Sequence, residues 1–235
     1  MYSREQALRI AEAVIRSGEY PLRQPEAPSP SFTIALSREA GSGGNLAARE
    51  VGRRLNWPVY DHELLDHLAK ELQVDVDQLE SVDERRGSWL VECLEAFAAA
   101  STVTEVTYFR RLLKLVLALG ARGRCVLVGR GAMIALPVDT TLRVRVVASR
   151  QDRIALISRE RGLDTTEAAR YMESTDRERS RFIKQHFRND LTDFLLYDLV
   201  LNASRLSVEE CAGLVIEALL RLQARRAPVK QEQAS

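Results

Sequence analysis

No run of this 235-residue chain is apolar for long enough to cross a bilayer. The most apolar window, Leu112 to Leu119, is interrupted by Lys114 and falls far short of the roughly 20 residues a spanning helix needs, so it reads as a buried helix. No export signal is expected either, because Arg4, Glu5, Arg9 and Glu12 break the stretch that would have to be continuously apolar, and the expected compartment is cytoplasmic. Cysteine is scarce. Cys93, Cys125 and Cys211 are odd in number, far apart and set in apolar surroundings, which excludes a disulfide framework and suits reduced core thiols. The three histidines do not combine with them at any zinc spacing, so no metal site made by the protein alone is expected, and His62 and His67 are expected on a solvated helix. A net charge of +1 gives no general attraction to a nucleic-acid polymer or an anionic membrane. Any anion site must therefore be local.

What is present suits one folded domain with an appendage, since 46% hydrophobic and 29% charged residues at this length bury a substantial core. Ser3 and Gln6 form a capping-box pattern ahead of Leu8, Ala11, Val14 and Ile15, which predicts a helix to about Arg16. Pro21 to Pro30 holds four of the seven prolines and reads as an extended connector. The expected organisation is 1–30 as helix and connector, 31–223 as the main domain and 224–235 as a flexible tail. Within the main domain, strands are expected at Phe32–Ser37, Pro58–Tyr60, Arg124–Val128, Leu142–Val147 and Tyr197–Asn202. Helical patterns run from Asn45, from Asp61 to about Leu72, over Trp89–Ala100 and Thr104–Ala121, over Gln151–Arg161, from Thr165 to about Gln185, and from the Ser207–Glu210 capping box to about Arg221. Arg143 and Arg145 alternate along their strand and suggest one face near solvent. Strands alternating with helices predict an α/β fold, a parallel sheet covered on both faces, whose ligands sit beyond the carboxyl ends of the strands.

Three suggestive features fall at those ends. The first is Arg38-Glu-Ala-Gly41-Ser42-Gly43-Gly44-Asn45, between an apolar strand and an amphipathic helix. Its three glycines allow successive N–H groups to converge on an anion at a helix N-terminus, as in a phosphate cradle. The lysine of a Walker A loop is absent: Gly44 stands in its place and Arg38 at the first glycine. The second feature is Asp61 after Tyr60, and the third is Gly129-Arg130-Gly131, whose guanidinium suits bidentate contact with a phosphate. Further on, Arg170, Arg177, Arg181, Lys184 and Arg188 form one helical stripe, which reads equally as a solvated face or a ligand face. Arg150, Arg153, Arg159 and Arg161 supply a second arginine-rich helix. Two such helices resemble a lid that clamps phosphate and excludes water.

Taken in order, Gly41-Ser-Gly-Gly44, Tyr60-Asp61, Val128-Gly-Arg-Gly131, Asp176-x-x-Arg179 and Tyr197-Asp-Leu-Val-Leu-Asn202 resemble the cytidylate-kinase-like branch of the P-loop nucleoside monophosphate kinases, over about Phe32 to Leu222. The better-known cytidylate kinases have lysine and threonine where this chain has Gly44 and Leu46, and Gly-Arg-Asp where it has Gly131. The resemblance implies a P-loop kinase fold with a helical lid, with ATP as donor, a CMP-like acceptor and Mg²⁺ held mainly by nucleotide phosphates and water. It implies Ser42, Gly43, Gly44 and Asn45 around the donor phosphates, Arg130, Asp176 and Arg179 facing the acceptor, Asp61 positioning it, and Arg153 and Arg159 as lid groups neutralising charge during transfer. Without the lysine another cation is needed, and Arg38 and Arg130 are the candidates.

Two other readings remain. One is a nucleotide-responsive protein that kept the cradle and lost turnover. The other is a dinucleotide-binding domain, with Gly41-x-Gly43 opening a helix and Asp61 at the distance of a ribose-binding acid.

Overall fold

The computed structural model describes residues 31–71 and 103–226. The expected N-terminal helix, the proline connector, the Trp89–Ala100 pattern, Cys93 and residues 227–235 lie outside the described residues.

Five strands form one all-parallel sheet in the order β2-β3-β1-β4-β5. They are β1 (Thr33–Arg38), β2 (Val59–Tyr60), β3 (Val126–Val128), β4 (Thr141–Val147) and β5 (Leu199–Asn202). β1 lies at the centre, with Leu36 in register with Val128 on one side and Val144 on the other. All six of its residues are buried, as expected for a strand covered on both faces. The helices are α1 (Gly44–Leu55), α2 (His62–Glu71), α3 (Val103–Arg122), α4 (Ala132–Ala135), α5 (Arg150–Arg161), α6 (Thr165–Phe187) and α7 (Val208–Arg226). The capping box at Ser207 and Glu210 is formed, and α7 continues to Arg226, past the expected end at Arg221 and into the expected tail.

The pleat divides the core. Ile34, Leu36, Val126, Val128, Val144 and Val146 face α1 and α7, while Ala35 and Leu127 face the layer built by α2, α3, α4 and α6. A third, small cluster joins Ala40 of the glycine loop to Ile154 and Ile157 of α5 and to Ala168 and Met172 of α6. The two arginine-rich helices are thus packed onto the loop.

Two expectations change here. Arg145 is buried, because β5 and the segment before it cover the strand; its guanidinium donates to Ser37 Oγ at 2.9 Å and lies over the Tyr197 ring at 5.5 Å. The dinucleotide-binding reading also fails. A Rossmann sheet sets β1 beside β2, whereas β3 intervenes here and carries Asp61 one strand further from the glycine loop.

Candidate active site

The loop 39–43 leaves the end of β1, and Gly43, in the left-handed region at φ 73°, caps α1. No side chain caps this terminus and its first turn contains no acidic residue, so its free N–H groups and positive dipole end are available to an anion. A cavity of about 270 Å³ opens at this point, lined by Arg38, Glu39, Gly41 to Leu46, Arg49, Leu156, Glu160 and Arg179. A second, of about 340 Å³, lies on the other side of the loop, between Leu156 and Arg159 of α5 and the Ala203–Val208 segment. Gly41, Ser42, Gly43 and Leu46 line both.

Arg38 is buried, and its side chain crosses the start of α1. Nε donates to Asn45 Oδ1 at 2.9 Å, and a terminal nitrogen donates to His62 Nδ1 at 3.0 Å. Burial, followed by repulsion from Arg179 and Arg130, pushes its pKa down to about 9 against a smaller pull from Asp61, so it stays charged at neutral pH. His62 is half-buried rather than solvated. Burial, then Arg38, Arg130 and Arg179, holds its pKa below the usual histidine value. The solvated-helix expectation holds for His67, which is exposed.

Arg153, Asp176 and Arg179 converge on the loop backbone. Arg153 Nε donates to Ala40 O at 2.7 Å and its guanidinium pairs with Asp176, whose other oxygen accepts from Ala40 N at 2.8 Å. Arg179 donates to Arg38 O at 3.2 Å. The amide and carbonyl of Ala40 and the carbonyl of Arg38 are therefore held by side chains of α5 and α6. Ser42 turns inward, its hydroxyl donating to Glu39 O at 3.0 Å. Arg159 is exposed at the mouth of the second cavity.

Arg130 makes a two-pronged ion pair with Asp66 and lies 5.0 Å from the Phe182 ring centre. Burial works against its charge, but the Asp66 contact outweighs it and raises its pKa, while the Tyr108 hydroxyl donates to the same carboxylate at 2.7 Å. Asp61 caps α2, accepting from Leu64 N at 3.0 Å, with Arg49 3.8 Å from its other oxygen. The loop, Arg130, Arg179 and Asp61 are thus brought to one end of the sheet. The stripe Arg170, Arg177, Arg181, Lys184 and Arg188 is exposed and lines neither of these cavities. Sequence reasoning missed His62 and Asp66, which lie one helical turn apart on α2; that spacing was the available signal.

A family model described as cytidylate kinase-like matches residues 33–205. The chain belongs to the cytidylate kinase-like family. It is 25% identical to the cytidylate kinase of Methanopyrus kandleri over 199 residues, 84% of this chain and 98% of that protein. An uncharacterized protein from Eubacterium ventriosum has the same fold, with a TM-score of 0.66 at 24% identity over 81% of this chain and 99% of that one. A shikimate kinase from Acinetobacter baumannii, solved with shikimate, is a looser match, with a TM-score of 0.45 at 14% identity over 82% and 95% of the two chains. One departure from the better-known members has a local cause. A Cβ at Gly131 would come within 2.1 Å of the Phe187 ring, so the aspartate they carry there has no room.

Proposed function

We propose that this protein transfers the γ-phosphoryl group of ATP to a nucleoside monophosphate, with CMP-like acceptors first. One observation carries the reading: the 270 Å³ cavity sets the uncapped N-terminus of α1 beside Arg38, Arg49 and Arg179, three guanidinium groups that outnumber the carboxylates of Glu39 and Glu160, on a chain whose net charge is only +1. Phosphoryl transfer asks little more of a protein than positioning and such charge. In the reaction an acceptor phosphate oxygen bonds to the γ-phosphorus, the bond to the β-phosphate oxygen breaks and ADP leaves with that oxygen. The backbone of Ser42 to Asn45 surrounds the donor phosphates in this reading, and Arg159 borders the cavity suited to the donor's remainder. Arg130 meets the acceptor phosphate by exchanging the Asp66 carboxylate for it, beside Asp61, Asp176 and Arg179. Arg153 holds the loop and, through it, the donor.

Among the described residues no group of three histidine, cysteine, aspartate or glutamate side chains could hold a metal. In this reading Mg²⁺ is a companion of the nucleotide, held mainly by phosphates and water, where it would neutralise charge on the transferred group. A cytoplasmic location suits these substrates.

The test incubates protein, ATP and Mg²⁺ with CMP, dCMP, UMP, AMP or GMP in turn, following ADP formation alongside calorimetric binding. Acceptor-dependent ADP release supports the kinase. Tight binding with no such release favours the nucleotide sensor, the reading to which Gly44 and Leu46 lend weight.

A further inference from the structure

We propose that Arg38, fixed by Asn45 and His62, is the cation that grips the donor phosphates, and that Arg38 and Gly44 are a reciprocal exchange of the glycine and lysine an ordinary P-loop carries at those two positions. The inference rests on the phosphoryl-transfer reading and assigns its missing charge.

Space makes the two positions exclusive. A Cβ at Gly44 would come 2.5 Å from Arg38 Cβ, 3.1 Å from its Cγ and 3.3 Å from Val146 Cβ. The Arg38 stem thus occupies the room from which a lysine at 44 would start. Only one of these positions can carry a long side chain, and in this chain it is the strand end. The far end of Arg38 lies over Gly129, where a Cβ would meet a guanidinium nitrogen at 2.5 Å.

Charge points the same way. Arg130 and Arg153 each have a carboxylate in direct contact. Arg38 is 6% exposed, yet the partners of its two side-chain hydrogen bonds, among the described residues, are a neutral amide and an imidazole. An arginine can only donate, so His62 Nδ1 must present its lone pair, and the ring is neutral with its proton on Nε2. A buried guanidinium held by uncharged acceptors, with Arg130 and Arg179 nearby and only a smaller pull from Asp61, keeps a positive charge that no carboxylate contacts directly, at a cavity also lined by Glu39 and Glu160. An anionic ligand supplies the compensation.

His62 is then a positioning residue acting through Arg38. Protonation would remove its acceptor and add another cation. Around the ring stand Arg38 from β1, Arg130 after β3, Arg179 from α6, and Glu63 of its own helix, with Asp61 adjoining; the arginines outweigh Glu63, and protonation is disfavoured.

The full-length chain is titrated calorimetrically with ATP and Mg²⁺, and separately with pyrophosphate, as wild type, Arg38→Gly, Gly44→Lys, the double exchange, His62→Ala and His62→Asn, with thermal melts reporting folding. Arg38→Gly is expected to weaken ATP binding by about 10- to 100-fold. Gly44→Lys alone is expected to melt earlier, and the double exchange to regain most of the affinity lost in Arg38→Gly. Arg38→Gly binding as tightly as wild type, or a folded double exchange binding no better than Arg38→Gly, overturns the proposal. His62→Ala is expected to lower kcat about tenfold, with His62→Asn restoring it by offering a carbonyl acceptor, and the acid limb of the kcat profile is expected to vanish in His62→Asn. An ATP affinity that rises in wild type as pH falls makes His62 a cationic ligand and overturns its positioning role. A wild type that binds neither ATP nor pyrophosphate refutes the phosphoryl-transfer reading itself, an outcome separate from those of the variants.

Discussion

Arg150 and Arg153 lie three positions apart on α5, and Arg177 and Arg179 two apart on α6, but each pair splits between two environments. Side-chain exposure is 64% for Arg150 against 10% for Arg153, and 69% for Arg177 against 23% for Arg179. Among the described residues the outer members pair with Glu173, itself half exposed, while the inner members hold the backbone at Ala40 and at Arg38, where β1 meets the glycine loop. Identical side chains on the same helices thus do different work, because a guanidinium surrounded by water interacts weakly, whereas one held against buried carbonyls must be paired to be tolerated. Helical periodicity finds the stripe, but burial decides which arginines shape the site.

The largest effect that sharpens this contrast is expected at Arg153. Arg153→Ala removes the bond to Ala40 O and leaves Asp176 without its main partner, which should cost about 2–4 kcal/mol in urea denaturation and loosen the loop. Arg150→Ala should leave the denaturation midpoint where it is. Equal losses for the two would break the division between inner and outer arginines.

Next comes Arg179 against Arg177. If Arg179 acts on the transition state, Arg179→Ala lowers kcat by about 100-fold with ATP affinity changed far less, while Arg177→Ala stays within about twofold on both. Steady-state kinetics beside calorimetry separates these outcomes. A fall in affinity that matches the fall in kcat assigns Arg179 to ground-state binding through its hold on the loop.

The same contrast has a protonic form at the buried face. His62 and His186 both have pKa values lowered chiefly by burial, so the folded state prefers their neutral forms more than the unfolded chain does. The unfolded state then binds more protons as pH falls through about 6.5. Stability should therefore be intact above that value and decline below it, until the folded-state rings themselves titrate. Urea midpoints measured from pH 7.5 down to 5 should show this slope, and His62→Asn should flatten part of it; an unchanged slope in that variant would assign the acid loss elsewhere.

The strands were legible because fully buried parallel strands are continuous apolar runs, and the cradle because Gly41-Ser-Gly-Gly44 sits between such a run and a periodic helix. The partners of the arginines were not. Arg38 meets His62 and Arg130 meets Asp66 across 24 and 64 residues of chain, through the turn into α2 and the return through α3 and β3. No local pattern records such a meeting, and a histidine among Asp61, Glu63 and Asp66 looks solvated. Arg145 misled for a related reason: alternation along β4 implies two faces, but not that both are covered. Asp61 was found at its strand end, although its contact there as a helix cap was not read.

The smallest expected effect concerns the outer stripe. Arg181 is exposed, and its neighbours at the helical spacing, Arg177 and Lys184, also point to water, so Arg181→Gln removes one of several like charges from a solvated surface. Stability should move by no more than about 0.5 kcal/mol in either direction, because the lost charge relieves some repulsion and gives up little contact. Turnover and ATP affinity should be those of the wild type, at low salt as well as at 0.15 M, where screening would hide a weak attraction. A loss of acceptor or ATP affinity that appears at low salt and fades at high salt would mean that the stripe guides anions toward the cleft, and the outer arginines would then share the work assigned to the inner ones.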